Sequence, residues 1–352
     1  MPSGGPVPGD RGAQRGRITV LGELVVDLLP DPSGDPGPEG TAPRYIARPG
    51  GNALNVAVTA GRLGAPVELR ARLGTGPLAA NLRRHAELSG VDGSGFVAAS
   101  EPVSLAVVGL RDDGSADYGF HVLGAADWQW TDEELADVAP ETTAMLHIGS
   151  ISSWTAPGSE AIARLAERLH AGGSLISVDP NIRPMLAEGP VGASLGNDRS
   201  AVRTRLERLL AVADIVKVSS EDLAWLEADS PADAVDLDAA VQRWTGQRPA
   251  LTLMTDGGEP LRVGRPGRPV QHVQPPQVTV ADTVGAGDSL AAGLLTGLLA
   301  AGVTTRSELE ALESTRLSAL LDDAMLVAAL TCTRTGADPP TAAELDAARG
   351  AR

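Results

Sequence analysis

The segment Asp282–Asp288, Asp-Thr-Val-Gly-Ala-Gly-Asp, carries the residue types needed to transfer a phosphoryl group. Its two glycines and the alanine between them precede an apolar stretch, Ser289–Ala301, that is predicted to be a buried helix. Small residues let backbone N–H groups approach a ligand, and a helix N-terminus adds partial positive charge, so the junction predicts an anion hole. Asp288 would lie at the helix start, placed to take a proton from an attacking hydroxyl. The alternative is an N-cap after a glycine turn, but an Asp at each end favours the catalytic interpretation.

The scarcity of lysine excludes two large classes of kinase. Lys217 is the only lysine, against 28 arginines. P-loop proteins and protein kinases both need a lysine at a fixed place in their motifs, so any ATP chemistry here must use another device. A dinucleotide dehydrogenase is also excluded, because Gly22-Glu23-Leu24 lacks the glycine pattern expected after the first strand.

Charge and composition exclude several partners and sites. The formal net charge is −16 with no basic patch, which argues against nucleic acid and anionic membranes. No apolar run approaches the roughly 20 residues that span a bilayer. Cys332 is the only cysteine, so no intramolecular disulfide or cysteine-based zinc site is expected, and a cytoplasmic location follows. The Gly- and Pro-rich residues 1–16 are expected to form a disordered tail rather than a secretion signal.

Short apolar runs alternate with helical patterns along most of the chain, which predicts βαβ units and a parallel sheet. The predicted strands are 18–26, 67–71, 145–148, 175–178, 215–218 and 250–254. One region breaks the alternation: residues 103–110 and 116–122 flank Asp112-Asp113-Gly114-Ser115 and predict a β-hairpin beside the main sheet.

Several segments resemble the ribokinase/PfkB family of carbohydrate kinases. Asp282–Asp288 is similar to the second family signature, and Gly50–Gly64 is similar to the first. Segments similar to those of the bacterial fructokinases in this family are Gly22–Asp27, Val178–Pro184, Ala213–Ser219 and Ala329–Ala337. The resemblance implies an α/β fold, a ribokinase-like three-layer α/β/α sandwich with a central mostly parallel sheet and a small β-sheet lid. It implies a kinase domain over 17–345, with lid segments near 28–48 and 103–127.

The resemblance also implies which residues bind the sugar and act on it. Asp288 is the base, and Gly285, Ala286 and Gly287 form the anion hole. The implied sugar-binding residues are Asp27, Gly50, Gly51, Asn52, Asn55, Arg183, Tyr118 and Phe120. Alternatives stay open: Asp27 and Asn52 can act as caps, Arg183 can form a surface ion pair, and the two aromatic residues can pack the lid against the core.

The nucleotide side carries residues that differ from the family pattern. The implied ATP-binding residues are Ser219, Thr255, Asp256, Gly257, Gly285, Gly287 and Thr331. Asp222 and Glu221 would organise Mg²⁺ through water, and Asp282 would bind a monovalent cation such as K⁺. Ser219 and Asp222 stand where the family has Asn and Glu, and Pro260 stands where a glycine is usual. The alternative for residues 219–222 is a polar helix start.

These observations together predict Mg·ATP-dependent phosphorylation of a sugar hydroxymethyl group, with fructose converted to fructose 6-phosphate. A ribokinase, a 2-keto-3-deoxygluconate kinase or a nucleoside kinase of the same family remains an alternative. A non-catalytic sugar- or nucleotide-binding protein is the alternative of another class, although a pure binder would not need Asp288. The expected partners are a small-molecule sugar and ATP, and relatives suggest a homodimer formed through the lid.

Overall fold

The computed structural model describes residues 16–31, 44–110, 116–227 and 236–351. The predicted tail up to residue 15, residues 32–43 of the first lid segment and the hairpin turn at 112–115 lie outside these ranges. The strands of the described ranges are β1 (Arg17–Leu21), β2 (Val25–Pro30), β3 (Tyr45–Gly50), β4 (Val67–Leu73), β5 (Phe96–Ala98), β6 (Ser104–Leu110), β7 (Ala116–His121), β8 (Thr143–Gly149), β9 (Leu175–Asp179), β10 (Ile215–Ser219), β11 (Leu251–Thr255), β12 (Leu261–Gly264) and β13 (Gln271–Val273). The helices are α1 (Asn52–Arg62), α2 (Pro77–Leu88), α3 (Ser150–Trp154), α4 (Gly158–Ala171), α5 (Pro184–Ala187), α6 (Pro190–Ser194), α7 (Arg199–Leu210), α8 (Ser220–Glu227), α9 (Leu237–Gln247), α10 (Ala286–Ala300), α11 (Arg306–Ala311), α12 (Ser314–Cys332) and α13 (Ala342–Gly350).

The main sheet has the strand order β13-β12-β11-β10-β9-β8-β1-β4-β5. All neighbouring pairs from β11 to β5 are parallel, and only the β11–β12 and β12–β13 pairs are antiparallel. The expectation of a central mostly parallel sheet is therefore confirmed. Since the carboxyl ends of parallel strands meet at one edge, residues that follow β8, β9, β10 and β11 are brought together there.

Helices cover both faces of this sheet, which explains why its strands are apolar on successive residues. In β1, Ile18 and Val20 pack in one buried cluster with side chains of α1, α10 and α12. Leu21 belongs to a second buried cluster, with side chains of α4 and α9. The two clusters give the three-layer α/β/α architecture.

The small sheet has the strand order β3-β2-β6-β7. Strands β6 and β7 form the predicted antiparallel hairpin, with Leu105 opposite His121. Strand β2 pairs antiparallel with β3 and parallel with β6, so the small sheet is mixed. One face of the small sheet, its inner face, lies over the carboxyl edge of the main sheet, which is the position expected of a lid.

The first predicted strand, 18–26, is in fact two strands in different sheets, so this prediction is wrong. The chain leaves the main sheet after β1 and enters the small sheet at β2. At the junction, a Cβ on Gly22 would lie 2.8 Å from the Cβ of Ala53, so α1 leaves no room for a side chain there. Glu23 is buried and accepts a hydrogen bond from the Ser152 hydroxyl at 2.9 Å. These contacts redirect the strand, and the continuous apolar run of the sequence does not reveal them.

Helix α10 is apolar around its whole circumference and packs against α12 and α1, so it is buried as predicted. It begins at Ala286, three residues before the predicted start, which places Asp288 in its first turn rather than before it. No helix in the four described ranges has the length and apolar character to cross a membrane.

Candidate active site

A cavity of about 540 Å³ lies between the carboxyl edge of the main sheet and the inner face of the small sheet. Its walls come from the small sheet, the start of α1, the loops after β8 and β9, strand β10, and the loop that leads into α10. The lining residues used below are Asp27, Asn52, Asn55, Phe120, Arg183, Lys217, Asp282, Gly285, Gly287 and Asp288. Sequence segments more than 200 residues apart thus face one space.

The loop before α10 has the backbone geometry of an anion hole. Gly285 has φ 77°, a left-handed conformation that favours glycine, and a Cβ there would lie 2.7 Å from the Cβ of Ala337. The amides of Gly287 and Asp288 belong to the first turn of α10, where a helix provides no backbone acceptor. The amide of Ala286 donates to the Thr283 carbonyl at 3.2 Å, within the turn itself. The free first-turn amides and the positive end of the helix dipole suit a phosphoryl group.

Asp282 closes the other end of this loop. Its Oδ1 accepts from the amide of Val284 at 3.1 Å, and its Oδ2 accepts from the amide of Gly336 at 2.8 Å. The carboxylate thus joins the loop to the segment after α12 while it also faces the cavity.

Asp288 is buried beside the anion hole, and two asparagine amides hold its carboxylate. Asn52 Nδ2 donates to Oδ1 at 2.7 Å, and Asn55 Nδ2 donates to Oδ2 at 2.8 Å. Burial and the charge of Asp179 raise the pKa of Asp288 to about 6, although the Asn55 hydrogen bond and the charges of Lys217 and Arg183 oppose this. A base whose pKa lies near neutrality is ionised at pH 7 and still basic enough to accept a proton.

The glycines before α1 place these two asparagines. Gly51 has φ 103°, and a Cβ there would lie 2.6 Å from the backbone oxygen of Glu23. Asn52 is the first residue of α1 and makes no cap to the helix, so the N-cap alternative does not hold. Its Nδ2 instead reaches both Asp288 and, at 3.3 Å, Asp179 Oδ2. Gly51 lines the cavity, whereas Gly50 lies behind the carboxylate of Asp27.

Asp27 projects from β2 into the opposite side of the cavity. Burial raises its pKa to about 6, and the positive charge of Arg183 acts in the opposite direction. Arg183 is exposed at the start of α5, and no carboxylate of the described residues lies within 4.0 Å of it. The surface ion pair proposed as an alternative is therefore not formed with that part of the chain.

The structure describes the side chain of only one of the two aromatic residues predicted to face the sugar, Phe120 and Tyr118. Phe120 lines the cavity from β7. Tyr118 belongs to the same strand, but its side chain lies outside the described part of the chain.

Of the predicted nucleotide residues, Gly285 and Gly287 line this cavity, whereas Ser219, Thr255, Asp256, Gly257 and Thr331 do not. Ser219 ends β10 and Thr255 ends β11. Asp256 accepts from the Ser220 hydroxyl at 2.7 Å, and Gly257 follows with φ 53°. Thr331 is buried and donates to the Ser289 hydroxyl at 2.9 Å, which fixes α12 against α10.

The two carboxylates predicted to organise Mg²⁺, Asp222 and Glu221, lie at the start of α8 and differ from each other in their surroundings. Asp222 accepts from the Ser219 hydroxyl at 2.7 Å and, through its other oxygen, from the amide of Ile182 at 2.7 Å. Both of its carboxylate oxygens therefore serve local structure, as a polar helix start does. Glu221 is exposed. The four described ranges contain no cluster of three or more His, Cys, Asp or Glu side chains that could hold a metal ion.

Sequence reasoning missed two charged residues of the site. The Lys217 ammonium lies 3.1 Å from Asp179 Oδ2, and both side chains are buried. Burial disfavours the charged ammonium, but the carboxylates of Asp179, Asp222 and Asp288 outweigh this and raise the pKa of Lys217. The available signal was that the only lysine stands one residue from the end of an apolar strand.

Two lining residues hold strained backbone conformations. Ser150 has φ 56° and Asn181 has φ 38°, and the Ser150 hydroxyl lies 3.5 Å from the Asn181 carbonyl. Such conformations cost roughly 1–3 kcal/mol each and cluster at functional sites.

Comparison with known proteins gives a consistent result. Residues 15–344 match the model of the pfkB family of carbohydrate kinases. A fructokinase of Klebsiella pneumoniae is 33% identical over 290 residues, which cover 82% of this chain and 86% of that protein. A fructokinase of Rhizobium leguminosarum bv. trifolii is 33% identical over 300 residues, which cover 85% of each chain. The crystal structure of fructokinase with bound ATP from Xylella fastidiosa superposes with a TM-score of 0.82 at 28% identity, covering 95% of this chain and 99% of that one.

Proposed function

We propose that this chain, which belongs to the pfkB family of carbohydrate kinases and is an ATP-dependent sugar kinase, phosphorylates fructose to fructose 6-phosphate. The observation that carries the proposal is the buried carboxylate of Asp288, held by two asparagine amides beside a helix N-terminus in one cavity. The names of the relatives favour fructose over the other sugars of the family.

The chemical step uses Asp288 as the base. Its carboxylate takes the proton of the hydroxymethyl group as the sugar oxygen attacks the γ-phosphorus of ATP. The bond from that phosphorus to the bridging oxygen of ADP breaks, and ADP leaves. The turn formed by Gly285, Ala286 and Gly287 places the first-turn amides of α10, above all that of Gly287, to stabilise the charge on the transferred group, since positioning and charge stabilisation dominate phosphoryl transfer.

The sugar binds between the small sheet and the start of α1. Asp27 accepts hydrogen bonds from two sugar hydroxyls, and Asn55 donates to the sugar on the side facing Asp288. Arg183 closes the pocket with a planar cation, and Phe120 and Tyr118 cover the apolar face of the ring. Gly50 and Gly51 keep the backbone close enough to touch the sugar.

The nucleotide binds along the carboxyl edge of the sheet, with its γ-phosphoryl group at the anion hole. Ser219, Thr255, Asp256 and Gly257 bound the ribose and phosphates, and Thr331 supports α10 from behind. Mg²⁺ bound with ATP would neutralise phosphate charge. The exposed carboxylate of Glu221 would hold this ion through water, and Asp222 orders Ser219. Asp282, with backbone carbonyls, would hold a monovalent cation such as K⁺.

The kinase domain spans 17–345, with a tail before it and lid segments near 28–48 and 103–127. A homodimer forms through the lids, which is supported by the exposed Tyr45 and Ile46 on the edge strand β3. The protein acts in the cytoplasm.

The test is ADP release by purified protein with Mg·ATP over a panel of fructose, other ketoses, aldoses, 2-keto-3-deoxygluconate and nucleosides. Fructose should give the highest kcat/KM, and the product should be the 6-phosphate. A higher kcat/KM for another acceptor would reassign the substrate. No turnover with any acceptor, together with sugar binding by calorimetry, would favour a non-catalytic binder.

A further inference from the structure

Lys217 is a buried cation at the wall of the active-site cavity. It stands in β10, inside the main sheet, and its side chain is 8% exposed. The side chain nevertheless lines the cavity. A buried charge is costly unless it is paired or used, so its place in the site needs an explanation.

The ammonium lies directly against the first turn of α10. A Cβ on Gly287 would be 2.8 Å from Nζ and 3.2 Å from Cε of Lys217, so the absence of a side chain at 287 makes room for the ammonium. The lysine cation and the helix N-terminus therefore meet at one place. Both favour an anion.

The pair with Asp179 uses only one of the hydrogen-bond donors of the Lys217 ammonium. A lysine ammonium has three N–H donors. Within the described ranges its one hydrogen bond goes to Asp179 Oδ2, at 3.1 Å. The carboxylate of Asp179 thus fixes the side chain and leaves two donors beside the anion hole.

We propose that the Lys217 ammonium donates to the phosphoryl group in transfer, beside the Gly287 amide, and that Asp179 positions it there. This inference rests on the proposed function and deepens it by adding a catalytic residue. Lys217 supplies the charge that a P-loop lysine supplies in other nucleotide enzymes, but from a strand of the sheet rather than from the phosphate loop itself. No covalent step is added, because the ammonium keeps its protons and only its hydrogen bonds strengthen as charge develops.

The test compares Asp179→Asn with the double variant Asp179→Asn/Lys217→Met, so that neither leaves a buried carboxylate at 179 without its partner. kcat is measured with Mg·ATP and the best sugar of the panel. Dissociation constants for Mg·ADP, for the magnesium complex of β,γ-imido-ATP and for the sugar are measured by calorimetry.

The double variant should have a kcat about 10²–10³-fold below that of Asp179→Asn, the loss typical of removing one donor from an oxyanion hole. Its affinity for Mg·ADP and for the sugar should stay within about twofold, because these ligands lack the group in transfer. Equal kcat values for the two variants would overturn the proposal, since Lys217 would then act only through Asp179. A parallel loss of Mg·ADP affinity would overturn it as well.

A control addresses the loss of a cation that pairs with a buried carboxylate. Arg306 pairs with the buried Asp214, just before β10 and away from the cavity, at 3.1 Å. Arg306→Met should lower the unfolding temperature and leave the ratio of imido-ATP to ADP affinity unchanged. If the double variant does not fold, Lys217→Gln replaces it, since the glutamine amide can still donate to Asp179. Absence of turnover in the unmodified protein would refute the proposed function alone, and the imido-ATP to ADP affinity ratio of the variants would still test Lys217.

Discussion

The side-chain amide of Asn52 donates to Oδ1 of Asp288 at 2.7 Å, and the same nitrogen lies 3.3 Å from Oδ2 of Asp179. One neutral group thus lies between two buried carboxylates and reduces their repulsion. Asn55 holds the other oxygen of Asp288, so the orientation of the base is fixed before any substrate arrives. Amide donors orient a carboxylate without giving up a proton to it, which leaves the base free to accept one from the sugar.

Replacing Asp288 by Asn should remove the base and preserve the shape of the site. We expect kcat to fall by about 10²–10⁴-fold, the usual contribution of a general base, while the dissociation constant of the sugar changes little. Steady-state kinetics and calorimetry measure the two effects. The exposed Asp322 on α12 gives a matched control, because Asp322→Asn should change neither quantity. Full turnover of Asp288→Asn would show that another group takes the proton.

The pH dependence of kcat should report the ionisation of Asp288. Activity requires the carboxylate, whose pKa is about 6, so kcat with saturating sugar should fall as the pH drops through 6. The hydrogen bond from Asn55 lowers this pKa, and Asn55→Ala should therefore move the acidic limb to higher pH. A limb that stays in place or moves to lower pH would contradict this account of the base.

Asp127 should make folding stability depend on pH. It is buried, accepts from the amide of Leu24 at 2.9 Å and bonds the Ser104 hydroxyl; burial raises its pKa to about 7. The folded state therefore keeps a proton that the unfolded chain loses above about pH 4, and this stabilisation is lost as the pH rises through 7. The slope is at most about 1.4 kcal/mol per pH unit.

Asp127→Asn should flatten that dependence. The amide side chain keeps the neutral form at every pH, so the free energy of unfolding should vary less between pH 5 and 8 than in the unmodified protein. Urea unfolding at several pH values measures it. An unchanged slope would mean that Asp127 does not titrate in this range.

Gly287→Ala should disturb the anion hole rather than the fold. The new methyl group would displace the Lys217 ammonium, which a flexible side chain permits at little cost in stability. We expect kcat to fall by about 10²-fold, as when one oxyanion donor is lost. Gly246→Ala in α9 is the control, since no atom lies within 4 Å of its new Cβ and alanine favours a helix. Equal activity of Gly287→Ala and the control would count against this site.

Asp27→Ala should weaken sugar binding selectively. Hydrogen bonds to a charged group contribute about 1.5–3 kcal/mol, so the KM for the sugar should rise by about 10–100-fold. The KM for ATP serves as an internal control and should stay the same. A rise in both constants would place Asp27 outside the sugar subsite.

Local patterns and the resemblance predicted the parts of the site that lie close together in sequence. The Asp282–Asp288 segment and the Asn52–Asn55 pair each owe their geometry to a glycine turn and the first turn of a helix. The local pattern predicted the first, whereas the resemblance to the carbohydrate kinases predicted the second. The split between β1 and β2 could not be predicted, because it depends on α1 packing against Gly22.

The pair of Lys217 and Asp179 was also beyond sequence reasoning. Asp179 ends β9 and Lys217 stands in the middle of the adjacent strand β10, 38 positions away, and β-strand patterns do not tell which polar side chains of neighbouring strands meet. The surroundings of Ser219 and Asp222 could not be predicted either, because they also depend on a residue distant in sequence. The Asp222 carboxylate accepts from the Ser219 hydroxyl and from the amide of Ile182, and only the folded chain brings Ile182 to it.

The junction of β3 and α1 bears on how this enzyme could be redesigned. Only Gly51 separates the strand from the helix whose first residue, Asn52, holds the base. A substitution in β3 that changes the sugar preference is therefore expected to shift Asn52 as well, and so to lower kcat. Strands β6 and β7 are not followed directly by a residue that holds the base, so a laboratory selection for a new sugar should accumulate its productive changes there.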